Sequence, residues 1–478
     1  MHEKLTPLRR WLILFNVLIA TFMATLDGGI VNIALPYISD KLHITISSSQ
    51  WIVTSYLLTI SVLLLMWGKL ADMYGKRRIF ALGFIVFSLG SLFCGLSGSL
   101  SGLIAARILQ AIGASAMMAL TQGIITSAFP PSERGRALGL SGTTVALGSL
   151  VGPSLGGILT HMFGWQSIFF INVPIGLLAI IVTYLIMPPM RNKEEAGLFD
   201  YKGLALYALA LLPSFTAILL LQDQKIAMPA FIVLIVISLI ALYWLIWWEK
   251  RIDYPLIDIQ LFRIPEFSLG ITAAFLSFVA INANMLFLPF YLQYALKMNS
   301  MQAGIMISAY PLTLAFVAPV SGWLSDKITY KPLTITGLMI CFAGLFMMSL
   351  LGKDASHLHI IILLMMTGGG MALFQSPNTS SIMGASPKTM LGVAGSLNAL
   401  FRNLGFISGA TFSVMLFSFS TSMNINGISE NAAAAAEATT LFLKGYHNVL
   451  LFAACSCLLG ALITGFRITR KKKQIVIE

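Results

Sequence analysis

Charge is what this 478-residue chain has least of: 10% Asp, Glu, Lys and Arg, against 57% hydrophobic residues. A soluble protein covers its surface with roughly 25% charged residues. The shortage excludes an aqueous globular protein and leaves lipid as the solvent for most of the surface. Histidine is scarce as well. The six, at positions 2, 43, 161, 357, 359 and 447, fall at termini, in loops or at the edges of apolar runs. That placement offers no metal cluster and no nucleophile–base pair at depth, which argues against a membrane-embedded enzyme. The cysteines are four, Cys94, Cys341, Cys455 and Cys457, all in apolar segments. They read as packing residues, with no disulfide framework, metal site or cofactor implied.

What is present is apolar runs of transmembrane length. Fourteen recur between residues 11 and 466, cut by short polar or Gly/Pro-rich stretches. The run after Trp11 has no small-residue cleavage site and is expected to be a retained first span. The net charge of +12 invites a nucleic-acid reading, but its distribution answers otherwise. Alternate loops hold 23 Lys/Arg against 5 in the others, so the charge is a topology signal that puts both termini in the cytoplasm. The RITRKKK tail adds attraction to anionic inner-leaflet lipid. Two basic residues, Arg107 and Arg402, fall inside spans, and Asp27 is the one acid deep in a span.

A faint internal repeat divides the chain. Tyr56–Thr59 aligns with Tyr310–Thr313, and Gly68–Asp72 with Gly322–Asp326, at one offset of 254. The expected architecture is an all-α polytopic membrane protein of two six-helix bundles, residues 1–187 and 267–478, with an inserted helix pair and its linkers at 188–266. Parallel repeats of this kind mark secondary transporters. The inserted pair carries no deep charge and reads as packing. The alanine run at 431–440 reads as a short helix in an outer loop.

These residues also carry a family resemblance. GKLADMYGKRR (68–78) resembles the cytoplasmic-loop signature of the major facilitator superfamily. LDGGIVNIALP, RILQAIGASA (107–116), GSLVGPSLGG (148–157) and WQSIFFINVPIG (165–176) are similar to motifs of its fourteen-helix drug:proton antiporter branch, the EmrB/QacA-like transporters. Gly29 and Ala111 depart from that branch's usual Thr and Gly, and the second-half copy GWLSDKITYK lacks the second glycine. The resemblance implies a bacterial cytoplasmic membrane protein that exchanges protons for small amphipathic substrates. It also sets the first and fourth helices side by side on a central cavity.

The residues suggest where the chemistry lies. Asp27 lies about nine residues, or roughly 14 Å, below Pro36 along its helix. A carboxyl at such depth faces a cavity or a partner; desolvation disfavours its charge and a neighbouring cation favours it, so it suits a proton carrier. A fixed ion pair that only holds helices together is the competing reading. Arg107 matches Asp27 in depth, while Arg402 is open to three partners: an anionic substrate group, Asp27 in one state, or backbone carbonyls. Tyr56, Gln110, Asn282, Asn284, Gln375, Asn378 and Asn403 are the polar candidates for substrate contact. Each is about as well explained by an interhelical hydrogen bond. Gly148, Gly152 and Gly156, with Pro153 and Gly157 among them, form a smooth helix face expected to seal the two bundles at their outer ends. Gly68, Asp72, Gly75, Arg77, Arg78 and Arg136, with Asp326 as the second-half twin, are expected to latch the cytoplasmic side. Asp72 there either caps a helix or pairs with an arginine.

The function these readings support is proton-coupled export of monocationic, zwitterionic or neutral amphipathic compounds by a monomer, with Asp27 as proton carrier. Export of an endogenous metabolite or lipid is the alternative. A channel is disfavoured, because pores are built from rings of residues.

Overall fold

The computed structural model describes residues 6–44, 46–189, 199–222, 227–252, 255–298, 300–421 and 435–467. Arg191, Lys193, Asp223 and Lys225, the first part of the alanine run and the basic tail beyond Arg467 lie outside them.

Among the described residues, long helices follow one another with no strand. They are α1 (Pro7–Lys41), α2 (Ile46–Tyr74), α3 (Lys76–Leu96), α4 (Leu100–Ala128), α5 (Arg134–Phe163) and α6 (Ser167–Ile186), then α7 (Tyr201–Gln222) and α8 (Met228–Glu249). After the linker come α9 (Pro265–Phe290), α10 (Gln302–Lys327), α11 (Tyr330–Ser349), α12 (His357–Ala385), α13 (Leu391–Thr421) and α14 (Ala435–Gly465). Twelve are long and apolar enough to cross a membrane, and α5 is a thirteenth if its two segments are joined across a 40° bend between Gly152 and Leu155. The fourteenth expected span is α7, a 22-residue helix interrupted by Pro213, whose ring removes one backbone hydrogen bond. The described alanines do not form a separate loop helix; they open α14.

Local chemistry fixes several helix ends. Thr6 and Pro7 start α1, the Thr6 hydroxyl accepting from the Arg9 N–H, and Ser99 caps α4 through the Gly102 N–H. Gly75 adopts φ 99° in the single-residue turn between α2 and α3, a conformation that a Cβ would strain. The start of α5 has no side-chain cap from Glu133, the residue before it, and its partner comes from elsewhere.

Helices α1–α6 pack on one another, as do α9–α14; one buried apolar cluster is centred on the first group and runs into α9, α12 and α13, and another lies mainly in the second group. The groups meet where α2 and α4 touch α13 and where α5 touches α10 and α12. The inserted pair packs on α2 through α7, where the Tyr207 hydroxyl donates to the Ser61 carbonyl at 2.9 Å. Helix α8 is largely exposed, as a lipid-facing helix should be. Asp200 and Glu249 are both buried at the pair's ends, and Asp200 accepts from Trp248 Nε1 at 3.0 Å and from the Gly203 N–H at 2.8 Å.

Candidate functional site

Five helices of the first group bring polar atoms to one point. Asp27 of α1 is fully buried, and its Oδ2 receives Arg107 Nη1 of α4 at 2.5 Å. Its Oδ1 accepts from Gln110 Nε2 at 2.8 Å and, at a long 3.5 Å, from Asn172 Nδ2 of α6. One turn separates Arg107 from Gln110, so the pair share a helix face, and Arg107 Nη1 also donates to Gln110 Oε1 at 2.6 Å. Gln110 Nε2 reaches Ser91 of α3 at 2.8 Å. Helix α2 contributes the Ile52 carbonyl, 3.2 Å from Arg107 Nε, and the Tyr56 ring, 4.0 Å below the guanidinium.

A charge pair without water costs more in desolvation than it regains unless its remaining polar atoms are also bonded. The amides of Gln110 and Asn172 serve that need. The network is nevertheless incomplete: Arg107 Nη2, Asn172 Oδ1 and the Tyr56 hydroxyl are buried without partners. A neutral Asp27 would leave the guanidinium with only neutral partners, the most costly state available to it.

Of the sequence candidates, Asp27, Arg107, Gln110 and Tyr56 are thus brought together. Tyr56 and Gln110 sit inside this cluster rather than on an open cavity wall. Arg402 does not join it: the acid's cation is Arg107. Sequence reasoning passed over Ser91 and Asn172, although Asn172 stands as a polar residue within the apolar IFFINVPIG stretch.

The second-group candidates divide. Gln375 and Arg402 line a cavity of about 30 Å³ between the groups. Asn282 and Asn403 are half-buried. Asn284 is buried in its own group with Oδ1 unpartnered. Asn378 does not line that cavity. Its Nδ2 donates to the Gly270 carbonyl at 3.0 Å and its Oδ1 accepts from Arg467 Nη1 at 2.6 Å. Arg467 belongs by sequence to the basic tail but is fully buried, donating also to Ser381 Oγ at 2.8 Å and to the Glu266 carbonyl at 3.0 Å.

At the end of the bundle carrying the basic loops, the two aspartates act reciprocally. Asp72, at the end of α2, accepts from the N–H groups of Gly392 at 3.1 Å and Val393 at 3.2 Å, at the start of α13. Asp326, at the end of α10, accepts from Gly135 at 2.8 Å and Arg136 at 3.0 Å, at the start of α5. Each therefore caps, from the opposite group, the helix start that it reaches. Glycines allow the approach: a Cβ on Gly392 would lie 2.5 Å from the Gly68 carbonyl oxygen, and one on Gly322 2.7 Å from the Gly135 carbonyl carbon. The arginines are not Asp72's partners. Arg77 donates to the Met187 carbonyl at 3.1 Å, Arg78 is exposed, and the Arg136 side chain lies over Trp11. Lys76 instead is buried, with Nζ 2.7 Å from Ser127 Oγ.

The glycine face of α5 also lies elsewhere than expected. Cβ atoms on Gly148, Gly152 and Gly156 would meet Thr25, Leu26 and Ile30 of α1. The contact is within the first group and runs alongside Asp27, not between the groups. Gly157 faces open space. The α5 bend falls just beyond Gly152 on this face.

Comparison with known proteins follows this geometry. The profile described as Major Facilitator Superfamily matches residues 17–410 and 270–476. The chain is 35% identical over 470 residues to the riboflavin transporter RibZ of Clostridioides difficile (strain 630), covering 98% of this chain and 99% of that protein. It is 32% identical to the multidrug resistance protein Stp of Mycobacterium tuberculosis (strain CDC 1551 / Oshkosh), covering 81% and 72% respectively. It is 28% identical to the multidrug export protein EmrB of Escherichia coli (strain K12), covering 86% and 81%. The solved proton:xylose symporter XylE superposes with a TM-score of 0.65 at 14% identity, over 95% of this chain and 94% of that one, a likeness of fold.

Proposed function

The chain belongs to the Major Facilitator Superfamily, and from that premise we propose that it exports small amphipathic compounds in exchange for protons, by alternating access. It is a multi-pass membrane transporter and not an enzyme; coupling, direction and orientation are our reading. The basic end faces the cytoplasm, both termini included, in the cytoplasmic membrane of a bacterium, and the monomer is the working unit among its lipids.

The observation that carries the proposal is the buried Asp27–Arg107 pair, with the acid bonded on both oxygens and the cation stacked on Tyr56. A proton reaching Asp27 from outside removes the pair's Coulomb attraction and leaves Arg107 uncompensated. That penalty is relieved if the surrounding helices shift, which couples protonation to movement. Helix α1 carries Asp27 and packs along α5, and α5 bears the end capped by Asp326. A shift at the acid therefore has a path to the latch. With both latches closed at the basic end, the state described is shut towards the cytoplasm.

Efflux from inverted vesicles under an imposed pH gradient tests this. Wild type should accumulate a dye in a gradient-dependent way, and Asp27→Asn should not. Gradient-dependent transport surviving in that variant would sink the coupling proposal. A second reading, export of an endogenous metabolite, is favoured by the near full-length similarity to a riboflavin transporter; riboflavin belongs in the same assay.

A further inference from the structure

Arg402 has no place in the coupling chemistry above, yet it is the other cation deep in the bundle. It lies on α13 about 16 Å in from Leu391, whereas Asp27 lies about 30 Å in from Pro7, so the two are at different levels of the membrane. Its cavity is walled by both groups. Gln122 of α4 and Ser141 of α5 face Gln375, Ser376 and Thr379 of α12 across it. No acid lines that cavity. Among the described residues, Arg402 makes no hydrogen bond and no ion pair. The only deep acid is already held by Arg107. Among the described residues Arg402 is thus a deep cation with neither a carboxylate nor a hydrogen bond to offset its charge, where such charges are otherwise paired.

We propose that Arg402 receives an anionic group of the substrate: a carboxylate, a phosphate or an ionised enol. The proposal rests on the export reading and narrows it, since monocations are repelled while acids and zwitterions are drawn in. The guanidinium fork binds planar anions through two parallel hydrogen bonds. Gln122, Gln375, Ser141 and Thr379 are neutral donors and acceptors that bind the substrate's uncharged polar edge without competing for the cation. The cavity now has room for a water or two. Because its walls belong to both groups, the separation that opens the Asp72 and Asp326 latches also enlarges it, exposing Arg402 from the cytoplasm when substrate is to be loaded.

Equilibrium binding to the purified full-length chain in nanodiscs tests this without any gradient, with fluorescein as the anionic probe and ethidium as the cationic one. Wild type should bind fluorescein and prefer it to ethidium. Arg402→Gln should weaken fluorescein by about tenfold or more, as removal of a charged hydrogen bond does, and should bind ethidium no worse. Arg402→Lys should recover part of the fluorescein affinity, which a misfolded variant could not. A wild type that binds neither probe, or that prefers ethidium, overturns the proposal, as does an Arg402→Gln variant within twofold of wild type for fluorescein. Coupling is read separately in the vesicle assay. If Asp27→Asn leaves gradient dependence intact while Arg402→Gln loses fluorescein, the coupling reading falls and the anion site stands.

Discussion

Asp72 and Asp326 stand 254 positions apart and cap each other's bundle: one bonds the first turn of α13, the other the first turn of α5. Each is both an N-cap and a cross-bundle tie, so a helix dipole and two orphan N–H groups stabilise one conformation on each side. Loss of an N-cap carboxylate costs about 0.5–2 kcal/mol. Asp72→Ala and Asp326→Ala should each raise the population open at the basic end, and the double variant should raise it further. A cysteine in place of Ser396, beside Gly68, reports this in a cysteine-free background through its rate of labelling by an impermeant thiol reagent in inverted vesicles. An unchanged rate in the double variant would show that the caps do not hold the state.

The Asp27–Arg107 pair ties helices together and, in the function proposed above, also couples protonation to movement; a pair of variants separates the two roles. Asp27→Asn leaves a fully buried guanidinium uncompensated, a loss of about 3–5 kcal/mol. It should lower the melting temperature in detergent markedly. Adding Arg107→Gln removes the stranded charge and should restore much of the stability, while gradient-driven transport stays lost. A double variant that regains coupling would assign the proton to another group.

How much of this was legible depends on whether the signal was local. Asp27 and Arg107 stand out because charge in an apolar run is rare, and Gln110 because it lies one helical turn from Arg107. The latch pattern was legible as a motif, but not its partners. Nothing in the sequence around Gly392 says that its N–H bonds an aspartate of the opposite bundle, and the choice between capping and an arginine required the packed helices. Arg467 was hidden by its neighbours: next to RKKK it reads as one more topology charge, although the fold buries it. Asn378 is ambiguous for the opposite reason, since an amide in a span has the same sequence whether it lines a cavity or holds a neighbouring helix. The glycines of α5 declared close packing, but their period does not name the helix that approaches.

That approach gives a steric prediction. A Cβ on Gly148 would lie 3.0 Å from Thr25 Cβ and 3.2 Å from the Leu26 N, immediately before Asp27, whereas one on Gly157 meets nothing within 4 Å. Gly148→Ala should push α1 away and reduce transport by disturbing the acid's hydrogen bonds. Gly157→Ala should transport as wild type does, since a substitution that touches no neighbour stays within about 0.5 kcal/mol. Equal loss in both would return the motif to a role between the bundles.

Arg467 and Asn378 should govern stability and leave substrate choice alone. The Arg467 guanidinium is drawn down to about 10 by burial, which still leaves it charged at neutral pH. It ties α14 to Asn378 and Ser381 of α12 and to the Glu266 carbonyl at the start of α9. Asn378→Ala strands Arg467 Nη1 and the Gly270 carbonyl, a cost of about 1–3 kcal/mol. Arg467→Ala empties a large buried site as well and should cost more. Melting temperatures should fall in that order, while the ratio of fluorescein to ethidium binding stays at the wild-type value in both. A change in that ratio for Asn378→Ala would put the amide back in contact with the substrate, and a melting temperature unmoved by Arg467→Ala would mean that the tie bears no load.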